Sequence, residues 1–399
     1  MDRSSITDFS TNNSAMAPTT VAIVGASYAG LHVAHSLLAV PDVKVVLINP
    51  STVFYWNIAA PRIVAKAKAF SPDQYLLPIA NAFAKYPAES FEFIAGSATA
   101  IDATAKNVSV TPNDGDARTV SYDYLVIASG STTASSNGSI TGSSIPFKPT
   151  NHDDLKEIIA ASQQQISGAK EIVIGGAGPI GIEVAGEIAD AVKQSGNKVS
   201  ITLVSATDRV LSMLKPSASS TAEKMLKKLN VKVINSTRVS GVEASGEAAS
   251  KSWTVSLSNG EKINADLYIP TTGALPNNSF VPEQFLDQDG WVKVDKELRV
   301  LSAEKIYAAG DITNNSMRLS FKTLEQAKIA ANNLKADIAG KGERQSYNQG
   351  DSVMMVVPVG ESGGTGQVFG IVPFSFMVKM IKGRDYFISK AAGAVDGTA

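Results

Sequence analysis

The sequence contains two segments in which an apolar strand leads into a glycine-rich turn and a helix. They are VAIVGASYAG (residues 21–30) and EIVIGGAGPIGIEVAGEI (residues 171–188). Glycine lets the backbone of such a turn approach a pyrophosphate closely, and the helix that follows directs its N-terminus at the anion. One such segment is a weak signal. Two of them, about 150 residues apart, predict a chain that holds two dinucleotides and moves electrons between them.

The composition narrows the chemistry that the chain can carry out. Its 399 residues suffice for two or three domains, and a net charge of −1 gives no indication of nucleic acid as a partner. The sequence contains no cysteine, which excludes disulfides, iron–sulfur clusters, thiolate zinc sites and any thiol relay. His32 and His35 share one predicted helix without an evident third ligand, so no metal site is expected.

The chain shows no evident targeting signal. Residues 1–19 are polar and rich in Ser, Thr and Asn, which predicts a disordered tail rather than a signal peptide. No run of residues approaches the ~18 apolar positions of a membrane span. We therefore expect a cytoplasmic protein. Peripheral contact with a membrane and assembly into a homodimer are left open.

The strand and turn pattern occurs twice along the chain. In the first copy, the strand VKVVLIN (43–49) completes a βαβ unit, and YDYLVIASG (122–130) is a buried strand that ends in small residues. The second copy has VSITLVS (199–205) and ADLYIPTTG (265–273) at the corresponding places. The segments GWVKVDKELRV and KIYAAGD follow the second copy and belong to the first one. The second copy is therefore inserted in the first.

This order predicts an α/β protein with two Rossmann-like dinucleotide-binding domains, of which the second interrupts the first, and a small C-terminal region. A Ser/Gly-rich loop at residues 131–144 indicates the boundary between the two domains. The expected limits are 1–19 for the tail, 20–147 with 274–348 for the first domain, 148–273 for the second domain and 349–399 for the C-terminal region.

The first turn offers a phosphate site in which Gly25 and Gly30 are retained and Ser27 replaces the middle glycine. A small hydroxyl side chain still permits a phosphate to approach and can donate a hydrogen bond. The next strand ends at Asn49, where an acid that binds a ribose hydroxyl is usual. Asp311 ends KIYAAGD, whose small residues let its carboxylate approach a ligand closely. The other candidate ligands are Ala26, Tyr28, Ala29, Ala128 and Gly130.

The second turn has its full set of glycines, Gly176, Gly178 and Gly181, and is the site expected for a nicotinamide donor. Glu183 follows one turn into the helix. It either holds the nicotinamide amide or is an ordinary carboxylate on the helix surface. Further candidate ligands of this site are Pro179, Ile180 and Gly273.

The choice of nucleotide is expected to depend on Ser205 and Arg209. An NAD-specific site usually has an acid where Ser205 stands, and its absence removes the repulsion against a 2′-phosphate. Arg209 either pairs with that phosphate or faces solvent. We expect NADPH to be accepted, with NADH as a second donor.

Taken together, these motifs resemble those of the pyridine nucleotide–disulfide reductase superfamily of flavoproteins. Within it, the chain is most similar to the apoptosis-inducing-factor branch, which includes the ferroptosis suppressor proteins. The resemblance covers nearly all of the chain after the tail. It rests on VAIVGASYAG, Arg62 in AAPRIV, GSATAID, YLVIASGST, GGAGPIGIEVAGEI, IYAAGD and GQVFGIVPFSFMVKMIKGRDYF.

The resemblance implies that FAD binds at residues 25–30, Arg62, Ala98 and Asp311, and that NADPH or NADH binds at residues 176–183. It also implies the reduction of a quinone by way of the flavin. Because cysteine is absent, the reduced flavin must pass electrons directly to a quinone, a dye or oxygen. Two alternatives stay open: a redox-signalling flavoprotein with slow turnover, and an oxidase or monooxygenase that acts on one small molecule.

Three cations are candidates for contact with the flavin or the acceptor. Arg62 follows an aromatic stretch and suits a contact with the flavin phosphates or ring edge, the alternative being a surface salt bridge. Arg318 and Lys322 lie between Asp311 and the next helix. They would stabilise the flavin or the acceptor oxygen, the alternative being ordinary exposed cations.

The C-terminal region combines apolar residues with basic ones. Lys379, Lys382 and Arg384 lie close to its apolar positions. The first interpretation is a lid over the flavin for an apolar quinone, the second is shallow insertion into a membrane, and the third is simple core packing. The apolar positions are Val368, Phe369, Ile371, Val372, Phe374, Phe376, Met377, Val378, Met380 and Ile381.

Overall fold

The computed structural model describes residues 17–141, 144–149, 153–245 and 252–398. The expected disordered tail lies outside the described residues up to position 16, and the first strand already begins at Thr19. The strands are β1 (Thr19–Val24), β2 (Val43–Asn49), β3 (Val53–Tyr55), β4 (Leu76–Pro78), β5 (Phe91–Asp102), β6 (Asn107–Pro112), β7 (Arg118–Ser121), β8 (Tyr124–Ile127), β9 (Ser131–Thr132), β10 (Glu171–Gly175), β11 (Ser200–Val204), β12 (Val231–Ile234), β13 (Val239–Ser245), β14 (Ser252–Leu257), β15 (Lys262–Ala265), β16 (Leu267–Pro270), β17 (Leu275–Pro276), β18 (Ile306–Ala308), β19 (Met355–Pro358) and β20 (Gly364–Gln367).

Ten α-helices connect or follow these strands in the described residues, together with three short 3₁₀ helices and one π-helical turn. The α-helices are α1 (Tyr28–Leu37), α2 (Ala60–Ala65), α3 (Pro72–Tyr75), α4 (Ile79–Phe83), α5 (Leu155–Gly168), α6 (Pro179–Ser195), α7 (Pro216–Lys228), α8 (Ser320–Ala339), α9 (Ser375–Val378) and α10 (Ala391–Val395). The 3₁₀ helices are Asn57–Ala59, Glu283–Phe285 and Ile388–Lys390, and the π-helical turn is Lys379–Gly383.

The first sheet has seven strands in the order β18-β8-β1-β2-β5-β6-β7. Strands β18, β8, β1 and β2 are parallel, and the start of β5 continues this arrangement beside β2. The second half of β5 pairs antiparallel with β6, which in turn pairs with β7. The parallel strands are almost entirely apolar and buried, as expected for a sheet that helices cover on both faces.

The two glycine-rich turns have the same backbone conformation. Gly25 and Gly176 have φ values of 109° and 114°, which only glycine adopts without strain. A Cβ atom at Gly30 would overlap the carbonyl oxygen of Gly25, and one at Gly181 would overlap that of Gly176. Each turn therefore needs its first and last glycine to bring the helix close against the preceding strand.

The second sheet is smaller and has the parallel order β12-β11-β10-β16. An antiparallel sheet, β13-β14-β15, lies next to it and adds a separate apolar cluster that includes Trp253 and Tyr268. Helix α6 follows β10 through the second turn and has a buried face along most of its length. This part of the chain repeats the strand–turn–helix unit of β1 and α1.

The chain returns to the first sheet after completing the second. Strand β18 pairs with β8, and the short strands β9 and β17 pair with each other where the chain leaves and re-enters the first domain. The expected fold class is confirmed, because one Rossmann-like unit interrupts the other. The residue limits of each domain stay predictions.

The C-terminal region packs against both domains. The hairpin β19–β20 contacts α6 and α7 of the second domain, whereas α10 contacts α1 of the first. The π-helical turn between them packs against β19. This region therefore connects the two dinucleotide-binding units to one another.

Candidate functional site

Both glycine-rich turns open onto one cleft of ≈ 840 Å³ between the domains. A volume of this size suits a buried cofactor or small-molecule site. The expected site residues that line the cleft come from both domains. They are Gly25, Ala26, Ser27, Tyr28, Ala29, Asn49, Ala98, Ala128, Gly130, Gly178, Pro179, Ile180, Glu183, Gly273, Asp311 and Arg318.

The first turn presents the N-terminus of α1 to the cleft. Ser27 is the N-cap residue, and its side chain makes no capping hydrogen bond to the helix. The first amides of α1 are thus left for an anionic ligand. Asn49 supports the turn, because its Oδ1 accepts a hydrogen bond from the Ala26 amide at 3.0 Å. Its Nδ2 donates to the Ser51 carbonyl at 2.7 Å, so the amide is committed to shaping the turn.

Asp311 lies at the cleft in a polar pocket made by three side chains. Its Oδ2 accepts hydrogen bonds from Ser131 Oγ at 2.9 Å and Lys148 Nζ at 2.6 Å, and its Oδ1 accepts from Thr323 Oγ1 at 3.3 Å. Burial alone would raise the pKa of Asp311. The positive charge of Lys148 and these hydrogen bonds outweigh burial, so the pKa lies below its usual value and the group is a carboxylate.

Lys148 is a functional candidate that the sequence pattern did not indicate. It lines the cleft, and its backbone is anchored by a hydrogen bond from its amide to Ser136 Oγ at 2.9 Å. The preceding carbonyl, of Phe147, accepts a hydrogen bond from Asn57 Nδ2 at 3.1 Å. A single lysine in an irregular segment carries no periodic signal, and only the fold brings it to Asp311.

Glu183 and Lys382 form a second ion pair at the cleft. The distance between Lys382 Nζ and Glu183 Oε1 is 2.5 Å, and both residues line the cleft. Glu183 is only 4% exposed. Burial raises its pKa, and the nearby Lys382 opposes that rise without cancelling it. The sequence indicated Lys382 only as one basic residue of the C-terminal region.

The structure places some expected ligands of the second site away from the cleft. Gly176 and Gly181 shape the turn by packing on one another. Ser205 is buried at the end of β11, where its hydroxyl donates to the carbonyls of Thr207 and Arg209. Arg209 donates to the Ser212 carbonyl at 2.8 Å and keeps a partly exposed side chain. A contact of this pair with a 2′-phosphate stays a prediction.

The location of Arg62 corrects the expectation of a flavin contact. Arg62 is 3% exposed, and it lies behind the cleft rather than among its lining residues. Its Nε and Nη2 donate to the two carboxylate oxygens of Glu187 at 3.0 and 2.8 Å. The alternative of a surface salt bridge is also incorrect, since this pair is buried in the interface between the domains.

The two cations after Asp311 have different locations. Arg318 lines the cleft, with its guanidinium carbon 3.6 Å from the centre of the Trp291 ring. Lys322 instead pairs with Glu325 at 2.8 Å outside the lining of the cleft, and its side chain is 13% exposed. Lys322 stands outside the lining although Ser320 and Thr323 of the same first turn of α8 line the cleft, so its expected contact with the flavin or acceptor stays a prediction.

The apolar C-terminal positions do not form a lid over the cleft. Apart from Met355 and Lys382, the described residues after 348 stay outside its lining. Val378 is buried, as core packing would require, and Val368 and Val372 are half-buried, but the phenylalanine, isoleucine and methionine side chains are exposed. We call the exposed group the apolar patch; it comprises Phe369 (81% exposed), Ile371 (70%), Phe374 (73%), Phe376 (61%) and Met380 (68%).

A membrane span is not found among the helices of the described ranges, since none is both long and apolar enough to cross a bilayer. The longest, α8, runs over 20 residues and includes the charged residues Lys322, Glu325, Lys328, Lys335 and Asp337. The apolar patch instead lies on the short helix α9, the π-helical turn and the loop that precedes them. Contact of this patch with a membrane surface stays a prediction.

Two glycine-rich, dinucleotide-binding turns that face one cleft define the two-domain class of nicotinamide-dependent flavoproteins. Residues 19–333 match the pyridine nucleotide-disulphide oxidoreductase family, and the chain belongs to that family. It is 36% identical to the oxidoreductase ptaL of Pestalotiopsis fici, over 95% of this chain and 99% of that protein. It is 26% identical to ferroptosis suppressor protein 1 of Xenopus tropicalis, over 93% and 94% of the two chains.

A solved structure shows the same fold. The sulfide:quinone oxidoreductase from Aquifex aeolicus superposes with a TM-score of 0.74 at 18% identity, over 94% of this chain and 92% of that one. The expectation of an oxidoreductase that uses FAD with NADH or NADPH is confirmed by the family. The similarity to ferroptosis suppressor protein 1 and to apoptosis-inducing factor homologues likewise confirms the expected branch.

Proposed function

We propose that the protein oxidises NAD(P)H and reduces a quinone-type acceptor. The observation that supports this proposal is the single cleft shared by the two glycine-rich turns, Asp311 and the Glu183–Lys382 pair. Bound FAD would accept a hydride from the nicotinamide and supply electrons to a second substrate. The absence of cysteine from the sequence removes a dithiol as the intermediate carrier.

The residues of the first turn fit a flavin dinucleotide. The uncapped N-terminus of α1 and the close backbone packing of Gly25 and Gly30 suit a pyrophosphate. Asp311, kept as a carboxylate by Lys148, is an acceptor for ligand hydroxyl groups. Arg318 adds a cation to the same cleft, next to the start of α8.

Glu183 and Lys382 would orient the nicotinamide and the acceptor. Glu183 Oε1 and Oε2 can accept hydrogen bonds from an amide, and Lys382 favours the charged form of the carboxylate. The ammonium of Lys382 can also donate a hydrogen bond from Nζ to an acceptor oxygen. Their role is therefore to position substrates within the cleft.

The apolar patch supports an acceptor that resides in a membrane. Five large apolar side chains are 61% exposed or more, with Lys379 and Arg384 also exposed beside them. Exposed apolar groups of this size mark interaction surfaces, and basic neighbours favour anionic lipid headgroups. We infer that this patch rests on a lipid surface while Lys382, in the same segment, reaches the cleft. A cytoplasmic location and a homodimer remain predictions.

The proposal is tested by anaerobic stopped-flow spectroscopy on the flavin-loaded protein. NADH and NADPH are each expected to bleach the flavin, and short-chain ubiquinone analogues are expected to restore its colour faster than oxygen does. Restoration by oxygen alone, with a hydroxylated product, would show a monooxygenase. Slow restoration by every acceptor would support the signalling alternative and contradict a quinone reductase.

A further inference from the structure

Behind the cleft, one buried carboxylate connects the first domain, the second domain and the C-terminal region. Glu187 of α6 is fully buried, and its two oxygens accept hydrogen bonds from Arg62 of α2 at 2.8 and 3.0 Å. Tyr386 of the C-terminal region donates its hydroxyl to the same carboxylate at 3.1 Å. Lys66 Nζ lies 3.3 Å from its other oxygen. We call these four residues the Glu187 cluster.

Arg62 reaches beyond this carboxylate to the backbone of the C-terminal region. Its Nη2 donates to the carbonyl of Gly383 and its Nη1 donates to that of Arg384, each at 2.8 Å. The guanidinium also lies over the Tyr386 ring, 4.8 Å from its centre. All three guanidinium nitrogens of Arg62 therefore take part in connecting α6 to the segment that follows Lys382.

The two ends of this connection are adjacent to the pair in the cleft. Glu187 lies four residues after Glu183, which places both carboxylates on one face of α6. Gly383 directly follows Lys382 in the sequence. The Arg62 connection and the Lys382–Glu183 ion pair thus link the same helix to the same turn, one helical turn apart.

We propose that Arg62 is a positioning residue that holds Lys382 against Glu183. The planar guanidinium can bond to a carboxylate and to two carbonyls at once, whereas a lysine at this position has one nitrogen to share among them. Loss of the two carbonyl contacts leaves the π-helical turn free to move, and Lys382 then separates from Glu183. The catalytic consequence of this inference rests on the proposed function, but the positioning itself does not.

The test is the rate at which single lysines are labelled by reductive methylation, read by mass spectrometry on the purified full chain. Arg62→Lys is expected to raise the labelling rate of Lys382 about tenfold, which corresponds to the loss of a hydrogen bond to a charged group. Lys379, exposed in the same turn, serves as the internal reference and should be labelled equally in both proteins.

Lys66→Met is the matched control variant. It removes a cation from the same cluster, but Lys66 donates to Asp190 and Glu361 rather than to the Gly383 and Arg384 carbonyls. It is expected to leave Lys382 labelling unchanged. The inference is wrong if both variants raise Lys382 labelling equally. It is also wrong if neither variant raises that labelling while the melting temperature falls, because Arg62 would then stabilise the fold without positioning Lys382.

A second readout uses the pH dependence of flavin reduction by NAD(P)H. Arg62→Lys should shift this profile in the same direction as Lys382→Met, and combining the two substitutions should give no further shift. Additive shifts would overturn the inference. A protein that labels as expected but oxidises neither nucleotide would instead contradict the proposed function and leave the positioning role supported.

Discussion

Glu183 and Lys382 are separated by 199 positions in the sequence, yet their charged atoms lie 2.5 Å apart at the cleft. One belongs to the helix that follows the second glycine-rich turn, and the other belongs to the C-terminal π-helical turn. The C-terminal region is thus part of the site and not an appendage. Burial raises the pKa of the Glu183 carboxyl, and Lys382 opposes that rise by favouring the charged form.

Lys382→Met is expected to slow flavin reduction by NAD(P)H about 10²-fold at pH 7. Without the ammonium, burial raises the pKa of Glu183 further, so a larger fraction of Glu183 is protonated and cannot accept a hydrogen bond. Stopped-flow reduction between pH 6 and 9 measures the effect. The rate of the variant should recover toward high pH, where Glu183 ionises again.

Two variants separate this effect from a simple loss of positive charge. Lys379→Met removes an exposed cation from the same turn and should leave the rate unchanged. Glu183→Gln removes the titrating group and should be slow at every pH while the flavin spectrum stays that of the bound cofactor. A pH-independent defect in Lys382→Met would show that the ammonium does not act through Glu183.

Arg209→Ala is expected to weaken NADPH binding about tenfold or more and to leave NADH binding nearly unchanged. A hydrogen bond to a charged group contributes about 1.5–3 kcal/mol, and 1.4 kcal/mol corresponds to a factor of ten. The dissociation constants of both nucleotides are measured by titration of the flavin-loaded protein. Arg238→Ala, which removes another exposed arginine of this domain, is the control. Equal weakening of NADH and NADPH would exclude a contact with the 2′-phosphate.

Lys148→Met is expected to lower stability more at pH 7 than at pH 4.5. The pKa of Asp311 is depressed in the folded protein. The stability that the ionised carboxylate contributes is therefore fully present above the pKa of the unfolded state, and it is lost as the pH falls through the lower pKa of the folded state. Without Lys148, burial should raise that pKa, and the variant then loses stability as the pH rises. Melting temperatures across this range, with Lys156→Met as an exposed control on α5, measure the difference. A pH-independent difference would argue against the ion pair as the cause.

Local patterns sufficed to predict the architecture, whereas the long-range ion pairs were not predictable. The segment in which an apolar strand leads into a glycine-rich turn is recognisable wherever it occurs, and it located β1, β10 and both helices that follow them. Arg62 pairs with a residue 125 positions away, and Lys148 with one 163 positions away. Such pairs form only because the domains and the C-terminal region pack against one another. That packing leaves no pattern of residue spacing in a single sequence.

The apolar patch offers a prediction that depends on its exposure alone. The double variant Phe374→Ser and Phe376→Ser should reduce co-sedimentation with vesicles that contain anionic lipid at least about tenfold, because the two stacked rings are 73% and 61% exposed. Removal of exposed side chains should not change the melting temperature. Reduction of a water-soluble quinone should stay unchanged, while reduction of a long-chain quinone held in the vesicles should fall with binding.

Leu275→Ser and Leu301→Ser are the matched control, since both leucines are exposed apolar side chains outside the patch, at 43% and 44%. These substitutions should leave vesicle binding intact. Raising the salt concentration should weaken binding of the unaltered protein in part, because Lys379 and Arg384 contribute charge while the aromatic rings contribute burial. If the unaltered protein fails to bind vesicles at low salt, the patch does not rest on a lipid surface, and the acceptor reaches the cleft from solution.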